Sequence, residues 1–104
     1  MAHVLDRLFE TIVSRRSADP EKSYTAKLLA DGVDRCAKKF GEEAVEAALA
    51  SVKGDKAAIA SESADVLYHL LVLWAASGLE PADVYAALEA REGRSGLEEK
   101  ASRR

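Results

Sequence analysis

The sequence predicts an all-α protein, and three features of it do so. Its apolar residues, 48% of 104 with only 6% aromatic, are heavy in alanine and leucine, which are strong helix formers. They recur at three- and four-residue spacings, the periodicity of a helix with one buried face. Apart from Gly41 and the tail's Gly96, glycine and proline fall between the periodic stretches, at Pro20, Gly32, Gly54, Gly78, Pro81 and Gly93, where they punctuate helices. The expected architecture is a bundle of four to five helices forming one domain over residues 1–93, with a tail of mixed charge over residues 94–104. A chain of this size buries a limited core, so the bundle is expected to be completed by pairing with a second copy.

The elements follow in order. From His3 to about Ser14, Val4, Leu5, Leu8, Phe9, Ile12 and Val13 give the stripe of an amphipathic helix. Arg15 to Ser23 reads as a loop, because Pro20 cannot continue a preceding helix. Ser23-Tyr24-Thr25 can cap a short helix through Leu29, a hydroxyl accepting from a free backbone N–H, and Gly32 permits a break. A long helix then runs from about Asp31 to Val52, with Val33, Cys36, Ala37, Phe40, Ala44, Ala47 and Ala48 on one arc. Gly54-Asp55 turns the chain, and a third long stretch reaches about Ser77, with Ala58, Val66 and Leu73 on its apolar stripe. Gly78 ends it in left-handed fashion. Pro81 opens a last helix in its first turn, with Val84, Ala87 and Leu88 facing inward, and Gly93 closes it.

The two long helices carry the chemistry. Glu43 and Glu46 lie three apart on the first, and Glu62 and Asp65 three apart on the second. Both pairs are centred on Gly54, so an antiparallel hairpin rising about 1.5 Å per residue on each arm returns them to one height. Glu62, Asp65 and His69 share the apolar stripe, so these acids are expected to point inward. Glu-Glu-x-x-Glu by itself is usual on a solvated, salt-bridged face. The second pair, mirrored and apolar-sided, points instead to a metal site. Crowded carboxylates resist ionisation unless something cationic offsets them. Oxygen-only ligation suits a hard cation, and Mg²⁺ characteristically takes one or two carboxylates, waters and substrate phosphates. Bundles holding two iron ions use Glu-x-x-His on two helices, which His69, four residues after Asp65, does not provide.

Other residues carry plainer alternatives. Lys39 and Arg35 can pair with the acids that follow them, a weak interaction in this order, or hold phosphate, which Lys does as a point charge. His69 reads as a histidine packed and hydrogen-bonded within the bundle, with catalysis as the alternative, and Tyr68 and Trp74 as core rather than base-stacking groups. Cys36 reads as a small buried apolar residue, consistent with a reducing cytoplasm. A net charge of −3 gives no basic footprint for nucleic acid. The longest uncharged apolar run, Leu70 to Ala76, is too short to span a bilayer, and no leader is expected.

Several stretches together resemble a known family. They are Ser23-Tyr24-Thr25-Ala26-Lys27-Leu28-Leu29, Gly32-Val33-Asp34-Arg35, Lys38-Lys39-Phe40-Gly41-Glu42-Glu43-Ala44-Val45-Glu46, Glu62-Ser63-Ala64-Asp65-Val66-Leu67-Tyr68-His69, and Arg91-Glu92-Gly93-Arg94-Ser95-Gly96-Leu97-Glu98-Glu99-Lys100. The chain resembles the phosphoribosyl-ATP pyrophosphatases of histidine biosynthesis. The acidic pattern alone marks only the wider all-α, MazG-like pyrophosphohydrolases; the Ser-Tyr-Thr stretch and the Ser-Gly tail narrow it.

The resemblance implies a stand-alone, homodimeric, cytoplasmic enzyme that hydrolyses phosphoribosyl-ATP to phosphoribosyl-AMP and pyrophosphate with Mg²⁺. Glu43, Glu46, Glu62 and Asp65 would take the metal-ligand positions, and Glu42 would complete the motif as an acceptor beside the metal or as a base. Lys27, Arg35, Lys38, Lys39, Arg94 and Lys100 are the candidate contacts to substrate phosphates, with the tail ordering over bound substrate. The competing expectations are hydrolysis of ordinary or damaged nucleoside triphosphates, and a helical dimerisation module without activity.

Overall fold

The computed structural model describes residues 3–93 together with Gly96 and Lys100. Five helices follow one another: α1 Val4–Ser14, α2 Tyr24–Asp31, α3 Val33–Lys53, α4 Lys56–Ala76 and α5 Pro81–Ala90, with a 3₁₀ turn at Arg15–Ser17 between α1 and α2. No strand is present among the described residues.

Four of the five helices begin where a side chain can meet their free N–H groups; α3, which follows Gly32, has no side-chain cap. The His3 ring nitrogen accepts from the Leu5 amide at 3.1 Å, Ser23 Oγ from Ala26 at 3.1 Å, and Asp55 Oδ1 from Ala57 at 3.0 Å and Ala58 at 3.3 Å. Pro81 occupies the first turn of α5, with Glu80 and Asp83 forming a reciprocal cap. Gly32, at φ 96°, separates α2 from α3. It lets α2 run two residues past Leu29 and starts α3 at Val33. Gly54 takes a left-handed conformation, φ 79°, and with Asp55 folds α3 and α4 into the antiparallel hairpin.

The core lies at one end of that hairpin. Phe9 and Ile12 of α1, Leu28 of α2, Cys36 of α3, and Leu71, Val72, Trp74 and Ala75 of α4 pack together. Leu71 and Val72 are fully inaccessible, each worth about 1.5–3 kcal/mol by burial. Cys36 is a buried free thiol, its Sγ–H donating to the Leu28 carbonyl at 3.2 Å. Arg16 reaches back from the 3₁₀ turn to donate to the Ala75 carbonyl at 2.8 Å, across the last turn of α4. Tyr85 of α5 donates to Asp6 of α1 at 3.0 Å.

From Ala37 to Tyr68 no residue is buried, so two expected faces need correction. On α3, Cys36 is buried and Phe40, Ala44 and Ala47 are half-buried, but Val33, Ala37 and Ala48 are exposed. The hairpin projects beyond α1 and α2, and its outer half is covered on one side only. On α5, Val84 is half-buried while Ala87 and Leu88 are exposed, because this helix packs chiefly against α1. Trp74 is buried and Tyr68 half-buried, as their reading as core residues required. No helix among the described residues is long and apolar enough to cross a membrane.

Candidate active site

Midway along the hairpin, one carboxylate oxygen from each of Glu43, Glu62 and Asp65 lies within 4.8 Å of the others. The turn at Gly54 produces this. It brings the α3 acid opposite the two α4 acids without help from any other element. Glu43 and Glu62 are half-buried and Asp65 is exposed, so the expectation that the α4 acids point inward holds for Glu62 and fails for Asp65. The stripe they share with Val66 and Leu73 is only half-covered at this height.

Glu46 does not join the three. It is exposed, one turn further along α3, and with Glu62 it lines a groove of about 520 Å³ that runs to the turn past Leu49, Ala50, Lys53, Asp55 and Ala58. Its charge still reaches the cluster. Burial pushes the Glu43 carboxyl above the ordinary carboxylate range, Glu46 and then Asp65 push it further, and Lys39 opposes them.

Glu62 Oε2 is buried and has no hydrogen-bond partner. A sealed, unpaired carboxylate oxygen is costly, and a cation is the species that would satisfy it. The oxygens of one Mg²⁺ shell lie at most about 4.2 Å apart, twice the metal–oxygen distance. The three oxygens, within 4.8 Å of one another, stand close to that spacing. The donor set is all oxygen, as a hard cation requires, and the residues present fit the ion.

The candidate cations are distributed unevenly. Lys39, half-buried on α3, bonds Glu42 at 3.2 Å and not Glu43, which leaves Glu43 free to ligate. That bond holds the Glu42 carboxyl below its ordinary range, with Lys39, Lys38 and Arg35 lowering it further against some desolvation. Arg35 and Lys38 are exposed on α3. Lys27 is exposed on α2 and paired with Asp31 at 3.9 Å, outside the acid cluster. Lys100 is exposed, and Arg94 lies outside the described residues. Beside Lys39, His69 is buried and in edge-to-face contact with Tyr24 and Tyr68, at centroid separations of 6.0 and 4.9 Å. Tyr68 in turn hydrogen-bonds Thr25 of α2. Sequence reading left Tyr24 without a role and took His69 as packing, although extending the mirror about Gly54 by one more turn reaches His69.

The family model described as phosphoribosyl-ATP pyrophosphohydrolase matches residues 5–92, a span that holds α3 and α4 entire. The chain belongs to the phosphoribosyl-ATP pyrophosphohydrolase family. Relatives named phosphoribosyl-ATP pyrophosphatase include one from Parvibaculum lavamentivorans, 66% identical over 102 residues, covering 98% of this chain and 94% of the relative. Another, from Azospirillum brasilense, is 60% identical over 103 residues, covering 99% and 93%. One from Paracoccus denitrificans is 62% identical over 100 residues, covering 96% and 93%. The phosphoribosyl-ATP pyrophosphohydrolases are hydrolases. The acid cluster of Glu43, Glu62 and Asp65 lies within the matched span.

Proposed function

We propose that the protein hydrolyses phosphoribosyl-ATP to phosphoribosyl-AMP and pyrophosphate in a Mg²⁺-dependent reaction, the second step of histidine biosynthesis, in the cytoplasm. The observation that carries this reading is the gathering of Glu43, Glu62 and Asp65 around one space, with a Glu62 oxygen left unpaired. The names of the relatives supply the substrate.

Glu43, Glu62 and Asp65 would hold the ion, with Glu46, one turn further along α3, as the fourth candidate ligand. A bound Mg²⁺ would supply charge neutralisation of the triphosphate and acidify an attacking water. Water attack at the α-phosphorus expels pyrophosphate, and no protein nucleophile is needed. Glu42, with its carboxyl held low by Lys39, is suited to positioning that lysine and is a weak base. Lys39 is the cation best placed for phosphate. Arg35 and Lys38 follow on α3, and Lys27, Arg94 and Lys100 are proposed for the more distant ribose phosphate. The protein acts as a homodimer, the hairpin's uncovered half being the contact.

The test is pyrophosphate release from phosphoribosyl-ATP with and without chelator, run against a panel of ordinary nucleoside triphosphates. Release is expected only from phosphoribosyl-ATP and only with the metal. Glu62→Gln should abolish it while the circular dichroism of the fold persists. A Glu62→Gln protein with undiminished turnover overturns the reading.

A further inference from the structure

The mirror that sets Glu43 against Asp65 continues one turn towards the core. Lys39 and His69 are also equidistant from Gly54, Lys39 four residues before Glu43 and His69 four after Asp65. Four residues advance about 6 Å and return nearly to the same face, so a cation and an imidazole form the rung next to the acids. Tyr24 of α2, half exposed, rims this rung with its ring edge-on to His69.

His69 is only 6% exposed, and its Nδ1 is sealed from solvent with no hydrogen-bond partner. A histidine kept for packing alone ordinarily has its buried nitrogen paired. The other sealed, unpaired side-chain atom among the described residues is Glu62 Oε2. Both belong to α4, two turns apart on one face, and they bracket Asp65. Among the described residues the two unpaired buried atoms therefore stand on the α4 face that carries the acid cluster, one beside it and one a turn beyond Asp65. Burial, and then the Lys39 charge, lower the imidazole's pKa against the pull of Asp65 and Glu42. With Nδ1 sealed, Nε2 is the ring nitrogen left for a ligand, and the proton is assigned to it so that it can donate.

We propose that the Lys39–His69 rung is a second anchor for the substrate's phosphate chain, holding non-bridging oxygens of a phosphate about one helical turn from the ion at the acids. The inference rests on the hydrolase reading above and adds His69 to its machinery. Lys39 exchanges Glu42 for phosphate as a mobile point charge. His69 Nε2–H gives the same phosphate chain a directed hydrogen bond. Two anchors of different kind on one polyphosphate fix its direction along the hairpin, which a single ion cannot do.

The chain contains two histidines, which makes nitrogen NMR of the full-length protein labelled at histidine a direct test. His3, an exposed helix cap, is the internal control. Mg²⁺ alone should leave the His69 Nε2 resonance nearly in place; Mg²⁺ with inorganic pyrophosphate should move it and leave His3 still. In calorimetry, His69→Leu should weaken binding of magnesium pyrophosphate about tenfold, the loss of one hydrogen bond to a charged group. His69→Gln, whose amide N–H reaches towards the Nε2 position, should recover part of that loss. The melting shift produced by Mg²⁺ alone should match wild type in both variants. If pyrophosphate binds in a Glu62-dependent way while His69 Nε2 stays still, or if His69→Leu binds as tightly as wild type, the anchor is overturned and the hydrolase reading stands. If wild type neither binds magnesium pyrophosphate nor turns over phosphoribosyl-ATP, both fall.

Discussion

Burial is the first force on Glu43 and the charges of Glu46 and Asp65 are the next, so its carboxyl stays protonated to a higher pH in the fold than in the unfolded chain. A group whose folded pKa is raised contributes stability below its unfolded pKa and loses it as pH rises through the folded value. Without metal, ionised Glu43 therefore costs the fold something at neutral pH and nothing in acid. Glu43→Gln removes that cost. In chelator, the variant should melt above wild type at neutral pH, and the difference should vanish as pH falls below the ordinary glutamate range. With Mg²⁺ the order should reverse, because wild type gains by binding the ion and the variant has lost a ligand. A thermal melt series over pH with and without Mg²⁺ checks both signs. If Glu43→Gln melts below wild type in chelator at neutral pH, Glu43 is not under the strain its surroundings imply.

At the scale of the element, the hairpin depends on its corner. Asp55 Oδ1 accepts from two amides at the start of α4, and Gly54 supplies the left-handed residue that ends α3. Asp55→Ala should cost about 1 kcal/mol, the usual price of an N-cap, read as a lowered denaturation midpoint. It should also weaken Mg²⁺ binding, since the corner sets the height at which Glu43 meets Glu62 and Asp65. Unchanged Mg²⁺ affinity in a destabilised Asp55→Ala protein would separate the corner from the site. The corner is also where sequence was most informative. Glycine at a helix end, an acid one residue later and acids at matched distances on both arms are local signals, so α3, α4 and three of the four acids could be placed from them. Burial was less legible. The 100° wheel reports which residues could face a neighbour, and whether one exists is a matter of tertiary arrangement. Ala48 and Val33 on α3, and Leu88 on α5, lie on apolar arcs yet are exposed. Asp65 was read inward and faces solvent for the same reason. Lys39 choosing Glu42 over Glu43 is a three-residue pairing set by rotamer, which spacing does not decide.

For the whole molecule, the uneven cover of the hairpin has a consequence. Val45, Leu49 and Val52 stand on one face of α3 and are 59%, 58% and 86% exposed, while residues of similar kind at the other end of the same hairpin are sealed. Apolar side chains aligned at four- and three-residue intervals make a stripe suited to another helix, and burying each would add roughly 1.5–3 kcal/mol. In a symmetric pair every such residue is buried twice, once per copy, so one charge placed in the stripe is counted twice against association. Leu49 also lines the groove shared with Glu46 and Glu62, which ties this face to the site. Wild type should sediment as a dimer at micromolar concentration and melt at a temperature that rises with concentration. Leu49→Glu should sediment as a monomer and lose the concentration dependence. Leu88→Glu, at an equally exposed leucine on α5, should remain dimeric. A wild-type protein that stays monomeric in the same run, with a melting temperature independent of concentration, would mean that the open half of the hairpin is stable against water by itself.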